Sequence, residues 1–253
     1  MPTAVILGSG TSNGVPMLGV EYPEAFLAQP KNHRTRCSLL LEGPEGNVLV
    51  DCPPELRLQL LRENVKMVDA VIVTHTHADH IMGMDDLRSL CIVGKKDMPV
   101  YTLPRYQNDI KRIYSYAFEP PQAQVELPRF DLRDVPETLE LCGMHIRILR
   151  VLHGPWPVLA LRVNDFAYVT DVGEIPPEAE EHLHDLDTLV LDAVRYKPHP
   201  THFHYDKAIE VAQRLGARQT FFTHLSHDYD HDATNAQLPP GIALAYDGLR
   251  IPL

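Results

Sequence analysis

Apolar residues come in short runs along the whole chain, and run length together with period separates strands from helices. Thr3–Leu7 is an apolar run of strand length, followed by the turn-rich segment Gly8–Pro16. Cys37–Glu42 and Asn47–Asp51 read as a hairpin joined by Gly43-Pro-Glu-Gly46. Pro54–Asn64 has helical spacing, with Pro54 tolerated in a first turn. Asp69–Thr74 reads as a buried strand and Ile81–Leu90 as an amphipathic helix. A strand is expected over Pro99–Leu103 and a helix over Arg105–Tyr114. The Pro-rich text that follows (Glu119-Pro-Pro, Leu127-Pro, Val135-Pro) carries no clear period, and 106–136 reads as a wall or lid over a site, or as simple packing.

The second half is more regular. Met144–Leu152, Val158–Val163 and Phe166–Thr170 are strand-like, with Asn164-Asp165 turning between the last two. Pro177–His184 is expected as a helix, Thr188–Leu191 as a strand, and Tyr205–Leu215 as a helix closed by Gly216. Gln219–Thr223 and Ile242–Ala245 complete the strands. Strands and helices alternate throughout, so the class is α/β with layered packing. No linker or low-complexity stretch divides the chain, which is expected to form one domain over 1–253.

Composition narrows the function. The chain has 253 residues, 23 Lys and Arg against 34 Asp and Glu, and a net charge of −11. That balance argues against nucleic acid as a general partner, since such binding needs a basic face. No apolar run approaches the roughly 20 residues of a membrane span, and Met1-Pro-Thr does not open a signal peptide. Cys37, Cys52, Cys91 and Cys142 form no CxxC pair, which suits a reducing cytoplasm. The unusual number is 14 histidines, because histidine is the commonest protein metal ligand.

Their placement is what matters. His75-Thr-His77-Ala-Asp79-His80 sets three imidazoles and a carboxylate directly after a buried strand. In extended backbone, His75 and His77 point the same way, while Asp79 and His80 fall where the chain turns into a helix. Three strands end in Thr followed by a metal-competent residue: Thr74-His75, Thr170-Asp171 and Thr223-His224. Rigid strand ends deliver side chains to a crevice in layered α/β folds.

The motif HxHxDH, with His153, Asp171 and His224 downstream, resembles the metallo-β-lactamase superfamily of binuclear metal hydrolases over essentially the whole chain. The resemblance implies a four-layer αββα sandwich with its site at one edge of the packed sheets. It implies one metal on His75, His77 and His153, and a second on Asp79, His80 and His224, with Asp171 bridging. Donors without thiolate suit Zn²⁺, Mn²⁺ or Fe²⁺. Asp51 is expected to support a ligand histidine from behind.

Finer features resemble the small phosphodiesterases, including the cyclic-phosphate phosphodiesterase of the carbon–phosphorus lyase pathway. They are Gly8-Ser-Gly-Thr-Ser-Asn-Gly-Val-Pro16, Asn32-His-Arg-Thr-Arg-Cys-Ser38 and Val50-Asp-Cys-Pro-Pro-Glu-Leu-Arg57. The resemblance implies a small phosphodiester substrate attacked by a metal-bridging hydroxide, with Asp79 and His204 as catalytic groups. His204 would protonate the leaving group, with His202 as its rival, and Arg34 and Arg36 are candidates to hold phosphate oxygens. Relatives are often dimers, so a homodimer is expected by the same analogy. The chain departs from close relatives in lacking a cysteine cluster at Gly19–Glu24. A separate structural zinc is therefore not expected, and packing should hold that loop beside His227. A lactonase or thioesterase on the same metals, and a tRNA-end-processing nuclease, are the competing hydrolase readings. A diiron redox protein is disfavoured, because His77 stands where oxygen-handling members carry Glu; a metal-free interaction module is disfavoured because every ligand position is filled.

Overall fold

The computed structural model describes residues 2–119 and 126–253. Two seven-stranded sheets form the frame. The first holds β1 (Thr3–Gly8), β2 (Ser38–Gly43), β3 (Gly46–Val50), β4 (Ala70–Ile72), β5 (Met98–Thr102) and β6 (Phe130–Asp134). The second holds β7 (Thr138–Leu141), β8 (Met144–His153), β9 (Trp156–Val163), β10 (Phe166–Val169), β11 (Thr188–Asp192), β12 (Gln219–Thr223) and β13 (Ile242–Leu244). The terminal strand β14 (Arg250–Pro252) returns to the first sheet and pairs antiparallel with β1. The helices are α1 (Glu24–Ala28), α2 (Leu56–Arg62), α3 (Ala78–Ile81), α4 (Leu87–Gly94), α5 (Pro104–Ile113), α6 (Pro177–Glu180), α7 (Tyr205–Leu215) and α8 (His231–Asn235).

Alternation along the strands builds the layers. In β1, Ala4 and Ile6 face a central core with Leu159, Leu161 and Tyr168 of the second sheet. Val5 and Leu7, one residue out of step, face an outer core with Leu56, Leu87 and Ile110 of α2, α4 and α5. On the far side of the second sheet, Ala208, Val211, Ala212 and Leu215 present one face of α7 to Ala167, Val169 and Leu191. The result is the expected αββα sandwich. No helix among the described residues is long and apolar enough to cross a membrane.

Most expected elements are present, and the differences have local causes. The helix expected over Ile81–Leu90 is broken into α3, a 3-10 turn (Met84–Asp86) and α4. The break sits at Gly83, whose N–H donates to Cys52 O at 2.9 Å. A Cβ at Gly83 would lie 2.0 Å from Pro53 O, so the backbone there is pressed against the loop after β3. The helices expected over Pro54–Asn64 and Pro177–His184 are shorter, as α2 and α6. The unassigned middle contains β6, parallel to β5, and β7, antiparallel to β8. Within 106–136, residues 120–125 lie outside the described residues. Tyr114 and Tyr116 pack rather than line a lid: their hydroxyls donate to Ile81 O and Asp85 Oδ1, both at 2.6 Å. The loop lacking cysteines is closed by Tyr22, which stacks on Phe26 and meets the His227 ring edge-on.

Candidate metal centre

The strand ends place the ligands. β4 runs out through Val73 and Thr74 into His75 and His77, and α3 then carries Asp79 and His80. From the second sheet come His153 at the end of β8, Asp171 after β10 and His224 after β12. Asp51, Asp171 and His224 all have left-handed backbone, with φ of 64°, 53° and 58°. Such residues cost about 1–3 kcal/mol each and persist only where their surroundings fix them.

The seven expected residues fall into two groups of ligand atoms, each with all members within 4.8 Å of one another: His75, His77 and His153; and Asp79, His80, Asp171 and His224. Asp171 faces both. Its Oδ1 lies 3.9 Å from His75 Nε2 and 3.3 Å from His224 Nε2, and its Oδ2 lies 3.3 Å from His80 Nε2. All seven residues expected as ligands are thus brought together, and all but His77 are buried.

The chain also fixes which nitrogens are free. His80 Nδ1 donates to Asp51 Oδ2 at 2.7 Å, as expected for a supporting carboxylate. Asp51 also accepts from Thr74 N and Thr74 Oγ1, both at 2.8 Å. Because that hydroxyl donates to Asp51, it accepts from His75 Nδ1 at 3.1 Å. His153 Nδ1 donates to Thr201 O at 2.8 Å. The Nε2 atoms of His75, His80 and His224 are buried without a protein partner. Orphaned buried nitrogens are costly, and here they converge with two carboxylates; the donor set fits divalent metal ions.

Electrostatics agree. Burial holds His75, His77 and His153 below the ordinary histidine range, so they are poised as neutral ligands. His80 and His224 are also buried, but the carboxylates around them overcome burial. Asp171, Asp79 and Asp51 raise His80 well above its usual value, and Asp171, Asp79 and Asp192 bring His224 to about 9. Asp171 and Asp79 are held low by those imidazoles despite burial. Without metal, the centre is a network of mutually charged groups.

The expected proton donor and phosphate contacts are placed differently. His204 is the N-cap residue of α7 and belongs to neither ligand group. His202 does reach the centre: a ring nitrogen lies within 4.8 Å of ligand atoms of His153 and Asp171. Its ring stacks on His224 at 4.7 Å, and its Nδ1 donates to Asp192 Oδ2 at 2.7 Å. Arg34 does not reach the ligand groups. It is 1% exposed, donates to Tyr229 O at 3.0 Å, and burial lowers its pKa to about 10. Arg36 is held by Ser12 O and the Glu55 carboxylate.

Asp192 carries no signal of its role in the sequence. It ends β11 as Asp171 follows β10, but no Thr precedes it. Its Oδ2 accepts from both His202 and Val172 N, the latter at 3.0 Å.

Residues 46–225 match the family model described as the beta-lactamase superfamily domain. The chain belongs to the metallo-β-lactamase superfamily. Among solved structures of this superfamily's fold, a diphosphatase of the PhnP family is 38% identical over 100% of this chain and 98% of its own, with a TM-score of 0.92. Among curated relatives, an octanoyltransferase of Porphyromonas gingivalis is 33% identical over 97% of this chain, which spans 50% of that protein's length. A ribonuclease Z of Methanopyrus kandleri is 24% identical over 88% of this chain and 94% of its own. The chain thus spans about half the length of the first of these curated relatives.

Proposed function

We propose that this metallo-β-lactamase-fold protein is a metal-dependent phosphodiesterase, with two divalent ions, Zn²⁺ or Mn²⁺, and a small phosphodiester as substrate. The observation that carries the reading is the juxtaposition of two ligand groups, Asp171 of one facing His75 of the other, with the Asp192–His202 pair beside them. The likeness to the PhnP-family diphosphatase supports phosphoryl rather than carbonyl chemistry. The ribonuclease Z relatives share the fold, but a net charge of −11 disfavours a long polyanionic substrate.

His75, His77 and His153 would hold one ion, and Asp79, His80 and His224 the other, with Asp171 between them. When bound, the pair supplies Lewis acidity at the phosphoryl oxygens and an acidified water. The remaining work belongs to the chain. Asp51, Thr74 and Thr201 fix the rings of His80, His75 and His153, so these three offer Nε2 without reorganising. Asp192 holds His202 with Nδ1 occupied, leaving Nε2 to deliver a proton to the departing alkoxide. His77, the exposed member of the ligand groups, marks the open side from which substrate enters. Four free cysteines, three of them buried, suit action in a reducing cytoplasm.

The test combines metal content with substrate choice. Plasma mass spectrometry should find about two ions per chain, falling sharply in His75→Ala. The loaded protein should turn over bis(p-nitrophenyl) phosphate and leave a homoserine lactone intact; the reverse preference would sink the reading. On an alkyl ester, His202→Ala should lose far more activity than His204→Ala, and the opposite order would return the acid role to His204.

A further inference from the structure

We propose that Arg105 and Trp156 form a specificity subsite that receives a second anionic group of the substrate, beyond the phosphate at the metal centre. The proposal rests on the phosphodiesterase reading, because it assigns the far end of the same substrate. A concavity of about 390 Å³ opens from His75 and His77 and is walled by Arg105, Tyr106, Asp109 and Trp156.

Three features give this wall its chemistry. The β8–β9 hairpin pairs His153 with Trp156, and directly opposed residues of an antiparallel pair share a face. The indole therefore stands on the metal-ligand side of the sheet, where it is 46% exposed. Arg105, in the first turn of α5, lays its guanidinium over the indole at 4.6 Å from the ring centroid. Arg105 has no carboxylate partner among the described residues. The carboxylate that lines the same wall, Asp109, is already engaged, accepting from Thr76 Oγ1 at 3.0 Å and from Arg112 Nη2 at 3.1 Å.

The cation–π contact selects the ligand class. The Arg105 guanidinium over the indole occupies one aromatic face, and its N–H groups make no hydrogen bond among the described residues. A planar aromatic group would have to displace it from that face. A phosphate or carboxylate meets the free N–H edge in the paired geometry that guanidinium favours. In a chain of net charge −11, an unpaired cation at the rim of the metal centre also draws anionic substrate toward it.

Trp156 is the chain's single tryptophan, so its fluorescence reports on this wall alone. The experiment titrates metal-loaded protein with propane-1,3-diphosphonate and with propylphosphonate, reading affinity by calorimetry and location by tryptophan fluorescence. The diphosphonate should bind the wild type more tightly and perturb Trp156. Arg105→Gln should weaken the diphosphonate about tenfold and leave propylphosphonate unaffected, with Arg105→Lys between them. Equal diphosphonate affinity in wild type and Arg105→Gln, or an unperturbed Trp156 in the wild type, overturns the subsite. Turnover of a phosphodiester without Arg105 dependence defeats the subsite alone. Arg105-dependent anion binding without any phosphodiester turnover defeats the phosphodiesterase reading instead.

Discussion

Asp192→Asn separates positioning from ligation at the centre. The native carboxylate is fully buried and accepts from His202 Nδ1 at 2.7 Å and from Val172 N at 3.0 Å. Asparagine keeps the size, and because one native oxygen accepts both bonds, its amide oxygen in the Oδ2 place keeps both partners. Its NH₂ then takes the Oδ1 place, 3.9 Å from His224 Nδ1. What the substitution removes is the charge on the acceptor of the His202 Nδ1–H bond. A hydrogen bond to a charged group contributes about 1.5–3 kcal/mol and a neutral one about 0.5–1.5 kcal/mol, a difference of about 1–1.5 kcal/mol. At 1.36 kcal/mol per factor of ten, kcat should fall about tenfold wherever proton delivery limits the reaction.

The assay compares esters with good and poor leaving groups on variants matched for metal content. A p-nitrophenolate needs little protonation, so bis(p-nitrophenyl) phosphate should lose only a few-fold, about the size of a weak structural effect. A dialkyl phosphodiester, whose leaving groups are both alkoxides, followed by release of its alcohol, should show the full loss. Equal losses on both leaving groups would refute the reasoning and reduce Asp192 to a support for Val172 and the loop after β10. A drop in metal content would show instead that Asp192 acts through His224, whose Nδ1 is 3.9 Å from Asp192 Oδ1.

Three other outcomes follow from the geometry. Asp51→Ala strands Thr74 N, Thr74 Oγ1 and His80 Nδ1 in a dry interior and should lower metal affinity about 10–100-fold; chelator competition within twofold of wild type would contradict it. Gly83→Ala drives a Cβ against Pro53 O and should cost about 1–3 kcal/mol in urea unfolding, with an unchanged midpoint counting against the close approach. Metal-free His224, raised to about 9, and His80, also raised, are protonated at pH 7 and must lose their protons to bind metal. Zn²⁺ titrations should therefore release protons at pH 7, and the release should decline as pH rises through 9. His75, His77 and His153, held low by burial, add nothing to it, so calorimetric heats independent of buffer at pH 7 would refute the charge assignment.

The ligand set was legible because its signals are local. A strand of the right length runs into HxHxDH, and two other strands end in Thr followed by Asp or His; neither statement needs the tertiary structure. The layered fold was legible for a related reason, since Ala4/Ile6 and Val5/Leu7 alternate between two cores. What could not be read depends on closure between distant segments. Asp192 acquires its role only when the loop before α7 folds back and brings His202 onto it. From sequence, His202 and His204 differ by two positions and nothing else. Arg36 reads as a phosphate contact from sequence, whereas in the fold the Glu55 carboxylate, 19 residues on, holds it. The broken helix at Gly83 is a collision with Pro53, a contact that no period in the sequence records.

The two ligand groups also explain why strained backbone gathers here. Each group draws on both sheets: His75 and His77 with His153, and Asp79 and His80 with Asp171 and His224. The centre is therefore a seam across the sandwich rather than a pocket in one layer. A strand leaving the edge of a sheet in extended geometry would carry its next side chain onward, away from the opposite sheet. At Asp51, Asp171 and His224 a left-handed residue turns the chain abruptly as the strand ends, and the side chain enters the seam. Two of the three strained residues are ligands. The third, Asp51, ties His80 on α3 to the end of β3. Metal bridging the seam would return the free energy stored in those three residues to the native state, so strain and ligation are two parts of one arrangement.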